Sequence, residues 1–125
     1  MPHTQDHHAR DSKTSTKLEC CIKAALKKKA CDLIALDITP YTTFADYFII
    51  CSGTSSRQVQ AIAESIERDL KQQGINPLGV EGYSQGTWIL LDYGDIVMHV
   101  FYQPIREFYQ LERLWADARR VDVIR

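Results

Sequence analysis

Apolar side chains recur along this chain in two rhythms, one suited to helices and one to strands. From Lys17 to about Ala30, the residues Leu18, Cys21, Ile22, Ala25 and Leu26 fall at i, i+3, i+4, i+7 and i+8, which predicts a helix with one apolar stripe. Its other faces carry Lys17, Lys23 and the run Lys27 to Lys29. That run reads as an RNA contact or, as such runs more often are, as a solvated face that complements the helix dipole. Cys31 to Ile38 and Tyr47 to Cys51 are short apolar runs on either side of the turn-like Thr39-Pro40-Tyr41-Thr42-Thr43, and they read as two strands buried on both faces. Ser55-Ser56-Arg57-Gln58 has the pattern of a capping box. Val59, Ile62, Ala63, Ile66 and Leu70 extend it into a helical stripe that stops at Gly74, with Glu64–Arg68 and Glu67–Lys71 spaced as i,i+4 pairs on the wet side.

Three further strands are expected at about Leu78 to Glu81, Thr87 to Tyr93 and Ile96 to Tyr102, with Gly94 at a hairpin turn. Pro104 suits the first turn of a last helix, along which Ile105, Phe108, Tyr109, Leu111, Leu114 and Trp115 spread over a broad face. The order α-β-β-α-β-β-β-α predicts an α/β (α+β) domain, a mixed sheet of about five strands flanked by helices.

A chain of 125 residues suffices for one domain that buries roughly two thirds of its unfolded surface. With 45% hydrophobic and 25% charged residues, it has the composition of an ordinary soluble protein, and no apolar run approaches the roughly 18 residues of a membrane span. Residues 1–15 are polar, carry His3, His7 and His8, and lack the apolar stretch of a secretory signal, so a flexible tail is expected there. The folded domain is expected over 16–117, a C-terminal tail over 118–125, and the location is expected to be cytoplasmic, without a membrane partner. Cys20, Cys21, Cys31 and Cys51 form no C-x-x-C pair, so packed, reduced thiols are expected, with no metal site and no cofactor. A net charge of −1 and a pI of about 6.4 supply no global field for a phosphate backbone, which argues against direct sequence-specific nucleic-acid binding and for a basic partner.

Several spaced blocks carry a resemblance. Leu36-Asp37, Asp46-Tyr47-Phe48-Ile49-Ile50, Gly53-Thr54-Ser55-Ser56-Arg57-Gln58-Val59, Glu81-Gly82, the run from Trp88 to Asp95, and His99-Val100-Phe101 together resemble the ribosomal silencing factor (Iojap/RsfS) family. Arg106, Tyr109, Leu111-Glu112 and Leu114-Trp115 continue the match to the end of the expected domain. The resemblance implies an α/β domain related to the nucleotidyltransferase fold. It also implies docking on a basic large-subunit ribosomal protein at the intersubunit face, a block to joining of the small subunit, and repression of translation; organellar relatives are linked to ribosome assembly.

An enzymatic reading has to be weighed against this. Gly53-Thr54-Ser55, after a strand and before a helix, is where a nucleotidyltransferase places a turn against a triphosphate. That chemistry also needs two or three carboxylates at i and i+2 on an adjacent strand to hold magnesium. The acids that follow, Glu64, Glu67 and Asp69, lie on the predicted helix, and Asp92 and Asp95 straddle a turn. His99 alternates with Val97 and Phe101 and reads as a hydrogen-bonded structural histidine rather than a general base. Asp37 and Asp46 read as turn caps, and Ser55 as a helix cap. No catalytic residue is expected.

For binding, the candidate residues are Glu81, Trp88, Leu91, Asp92, Tyr93 and Asp95, where acids surround large apolar side chains on a hairpin. Trp88, Leu90 and Asp92 share one strand face and Ile89, Leu91 and Tyr93 the other, so either set could be core; Trp88 reads as interface anchor or core anchor. The stripe from Ile105 to Trp115 would suit a homodimer as well as intramolecular docking.

Overall fold

A computed structural model of the chain describes the backbone of residues 2–121 and the side chains of residues 14–121. Apart from Thr14 and Ser15, the side chains of the expected N-terminal tail lie outside that range, as do residues 122–125. The elements are α1 (Pro2–Lys27), β1 (Cys31–Asp37), β2 (Tyr47–Gly53), α2 (Ser56–Lys71), β3 (Gly79–Glu81), β4 (Trp88–Asp92), β5 (Ile96–Tyr102), α3 (Gln103–Tyr109), a 3-10 turn (Leu111–Trp115) and β6 (Arg119–Arg120). They build a mixed sheet in the order β3-β4-β5-β2-β1-β6, antiparallel throughout except that β2 and β5 run side by side in parallel.

The sheet is the expected one with a strand added at its edge. Arg119 and Arg120 pair with Asp37 and Leu36 behind a buried Ala118, where a tail was expected. Two arginines carry no apolar alternation, so no sequence rhythm announces this strand, which forms by backbone pairing with an Arg119–Asp37 ion pair (3.2 Å) beside it.

Capping fixes α2 at both ends. The Ser55 hydroxyl accepts the Gln58 N–H at 3.1 Å, as the box pattern requires. Gln58 closes the box one residue further out, because its Oε1 accepts the Thr54 N–H (2.7 Å) and hydroxyl (2.9 Å). Its Nε2 donates to the carbonyls of Lys28 and Lys29, each at 3.1 Å, so the cap of α2 also ties down the end of α1. At the other end Ile75 N–H reaches back to the Leu70 carbonyl and Gly74 N–H to that of Lys71, with Gly74 at φ +76° in the left-handed region.

Both helices lie on one face of the sheet. Leu33, Ala35, Ile49, Cys51, Ile89, Leu91, Ile96, Met98 and Val100 meet Leu18, Cys21, Ala24, Ala25, Val59, Ile62, Ala63, Ile66 and Leu70 there in one buried cluster. Small side chains line the seam between the helices, where Ser65 donates its hydroxyl to the Ala24 carbonyl at 2.9 Å.

The last helix is interrupted. One helix through Trp115 was expected, but Gln110 adopts φ 49°, ψ 50°, ends α3, and restarts the chain as a 3-10 turn. The break lets Ile105 on one side and Leu111 and Trp115 on the other pack on the same second cluster around Leu36, Ile50 and Phe101. A straight helix would carry part of that broad apolar stripe away from the sheet.

Candidate partner-binding face

The second face of the sheet is only partly covered. Register places Ile34 and Leu36 of β1, Phe48 and Ile50 of β2, Val97, His99 and Phe101 of β5, and Trp88, Leu90 and Asp92 of β4 on this side. α3 and the 3-10 turn cover its centre, through Ile105, Leu111 and Trp115. Toward β3 the cover stops, leaving a hollow of about 390 Å³ lined by Glu81, Trp88, Leu90 and Tyr109 among others.

Trp88 stands at the edge of that cover. Its ring stacks on Phe101 at 4.8 Å and meets Tyr109 at 5.1 Å, while its Nε1 donates to His99 Nδ1 at 3.1 Å. The indole is half-buried. Because His99 Nδ1 accepts, the neutral ring carries its proton on Nε2, a buried atom with no hydrogen-bond partner among the described residues. Burial pushes the His99 pKa down to about 4, so the ring is neutral near pH 7. This is the structural histidine that the alternation predicts. Phe48 stands edge-on to it at 4.8 Å and to Trp115 at 5.3 Å, so aromatic contacts run from Tyr109 to Tyr41.

The six candidate residues divide by face. Leu91 and Tyr93 point into the helix-side core, where Leu91 has no exposed surface and Tyr93 is 5% exposed, so neither offers side-chain surface to a partner. The strand alternation left both assignments open, and packing against α1 and α2 decides it. Glu81 is exposed and Asp92 half-buried, both on the Trp88 side of the sheet. Asp92 accepts the Gly94 N–H at 2.8 Å and shapes the hairpin turn.

Asp95 plays a different part from the steering charge that its sequence neighbourhood suggests. Its carboxylate accepts from Lys17 Nζ at 2.6 Å and from the Thr14 hydroxyl at 3.1 Å, and its carbonyl accepts the N–H groups of Asp46 and Tyr47. Lys17 also donates to the Tyr93 carbonyl at 3.1 Å. Asp95 thus clamps the β4–β5 hairpin to α1.

Exposed apolar side chains of the stripe that sequence offered for a homodimer or for intramolecular docking, and not for the hairpin site, also stand on the surface after Pro104. Tyr109 is 55% exposed, Phe108 78% and Leu114 77%, all on the broad stripe after Pro104. A stripe wider than one core contact needs was the available signal. Phe44, 91% exposed in the β1–β2 connection, gave none.

At the end of the parallel strands, near Gly53-Thr54-Ser55, a second hollow is lined by Asp32, Ser52, Arg106, Glu107 and Glu112 among others. Sequence reasoning missed these acids because they come from β1, α3 and the 3-10 turn. Arg106 fills the space between them, donating to Glu112 Oε2 (2.9 Å), the Ser52 hydroxyl (2.9 Å) and the Asp32 carbonyl (2.8 Å). Among the described residues no group of three or more His, Cys, Asp or Glu side chains could hold a metal ion. The four cysteines are free thiols, and burial pushes Cys21 and Cys51 up to about 12, which makes them unreactive packing groups. No helix among the described residues is long and apolar enough to cross a membrane.

These features define an α/β domain with a mixed sheet, helices packed on one face, and an aromatic, acid-rimmed surface left partly open on the other. Comparison with known proteins places it: the sequence profile described as "Ribosomal silencing factor during starvation" matches residues 11–125. A ribosomal silencing factor RsfS from Halalkalibacterium halodurans is 42% identical over 106 residues, 85% of this chain and 91% of that protein. A mouse protein named "Mitochondrial assembly of ribosomal large subunit protein 1" is 29% identical over 101 residues, 78% of this chain and 44% of its own length. The crystal structure of a protein from Chromobacterium violaceum superposes with a TM-score of 0.80 at 33% identity, covering 89% of this chain and 92% of that one. The chain belongs to the ribosomal silencing factor family.

Proposed function

We propose that this protein binds the large ribosomal subunit through a basic protein of the intersubunit face, blocks association with the small subunit and so represses translation. The observation that carries the reading is the half-covered aromatic surface of Trp88 and Tyr109 beside Glu81 and Asp92. An aromatic anchor with acids at its rim suits a cationic protein partner, since the ring supplies desolvated contact area and the acids supply register. Family membership and the large-subunit wording in the mouse relative's name support the choice of subunit. The protein acts by occupancy, without catalysis: near Gly53-Thr54-Ser55 the Arg106 guanidinium pairs with Glu112, and among the described residues no strand offers paired carboxylates for magnesium.

Sedimentation with separated subunits tests this. Wild-type protein should travel with the large subunit and not the small one. Tyr109→Ala, which removes a side chain more exposed than buried, should weaken that binding by about 1–2 kcal/mol, roughly five- to thirtyfold, with unchanged thermal stability. Equal sedimentation with both subunits, or with neither, would overturn the proposal.

A further inference from the structure

Three cations stand exposed at the corner where α1 ends and α2 begins: Lys28 and Lys29 just beyond α1, and Arg57 in the first turn of α2. Lys27 beside them is held by Asp69 at 2.8 Å. Among the described residues, none of the ion pairs involves Lys28, Lys29 or Arg57. The nearest acid along the chain is Asp32, also exposed. The backbone beneath the charges is fixed, because Gln58 binds the carbonyls of both lysines with one amide group.

Lys29 occupies a conformation that favours glycine. Its φ is +63°, in the turn that closes α1 through Ala30 N–H to the Ala25 carbonyl at 3.2 Å. A lysine there weakens the helix end relative to glycine, and the described fold draws no ion pair from its side chain. The neighbours Thr54 and Ser55 are exposed and polar. Among the described residues none of the large exposed apolar side chains, such as Phe44, Leu78 and Phe108, belongs to α1, α2 or the turns that flank this corner. Binding to a lipid surface is strengthened by apolar groups that insert, whereas a phosphodiester backbone asks only for cations and polar donors on a firm base.

We infer that the Lys28–Lys29–Arg57 corner is a contact for the phosphate backbone of ribosomal RNA, reading charge and not sequence. It rests on the proposed large-subunit binding and adds a second point of attachment to it. The overall charge of −1 does not oppose this, because screening confines each contact to within about 10 Å at 0.1 M salt.

The test is a triple variant, Lys28→Ala, Lys29→Gly and Arg57→Ala, compared with wild type for binding to large subunits and to a short A-form RNA duplex across a salt series. Glycine at position 29 relieves the left-handed strain, so the variant should melt no lower than wild type. Its affinity for large subunits should fall about tenfold at low salt, and the slope of log affinity against log salt should shrink by about two to three. Weak duplex binding by wild type should vanish in the variant and survive in Tyr109→Ala. A variant that keeps the wild-type affinity and salt slope for subunits overturns the inference while leaving the proposed function standing. Wild-type protein that binds the duplex through this corner but ignores large subunits supports the RNA contact and removes the proposed function instead. Binding to phosphatidylglycerol vesicles that the variant loses, with no duplex binding, assigns the corner to membranes and also overturns it.

Discussion

Trp88 turns its nitrogen inward to His99 and leaves part of its ring at the surface, so one side chain serves both core and candidate interface. Its partner gives the fold a pH dependence with a definite sign. His99 has a folded pKa near 4 against about 6.5 unfolded, so the unfolded chain takes up the proton first as pH falls. The stabilisation is complete above pH 6.5 and is lost progressively down to pH 4. Urea unfolding should show wild type losing about 2 kcal/mol more than His99→Gln between pH 7 and pH 5. Equal losses in the two proteins would place the buried histidine outside the linkage. The alternation of Val97, His99 and Phe101 was enough to predict a structural histidine, but its donor, Trp88, lies across a strand pair and emerges only from register. For the same reason the roles of Asp92 and Asp95 could not be told apart in sequence, since Lys17 and Thr14 reach Asp95 from 78 and 81 positions away. Asp95→Lys should destabilise the protein by about 1–3 kcal/mol by setting two cations face to face, whereas Asp92→Asn, which keeps an acceptor for Gly94, should cost under about 0.5 kcal/mol. Thermal melts of the two variants check this contrast.

At the scale of elements, the loop from β3 to β4 is what presents the candidate face. It is pinned to α2, because Gln60 donates to the Tyr83 carbonyl at 2.9 Å and the Tyr83 hydroxyl binds Glu64. Gly82 is essential to its path, with φ +80° and no room for a Cβ, which would overlap the Trp88 carbonyl oxygen. Gly82→Ala should therefore cost about 2 kcal/mol or more and loosen the first residues of β4, seen as faster amide exchange at Trp88 and Ile89. Elements with a strong rhythm were legible: α2 from its cap and stripe, and the meander from Gly94 and two alternating runs. The break at Gln110 and the strand at Arg119–Arg120 were not, because one depends on what the stripe packs against and the other on a free edge of β1.

For the whole molecule, the two faces of the sheet divide the work. One is closed by α1 and α2 over a continuous apolar cluster and supplies stability; the other is closed only at its centre, leaving Trp88, Tyr109, Glu81 and Asp92 at one side. The family was readable from blocks of sequence, whereas the face of the hairpin left open was not, since a strand alternation cannot say which of its faces the helices will take. The most direct measurement is light scattering from purified subunits mixed at a magnesium concentration that favours joining, with the large subunit first incubated with a stoichiometric excess of this protein. Suppressed joining by wild type, restored by Tyr109→Ala at the same protein concentration, is the expected result; joining at an unchanged rate and extent while the protein remains bound to the large subunit would contradict the account.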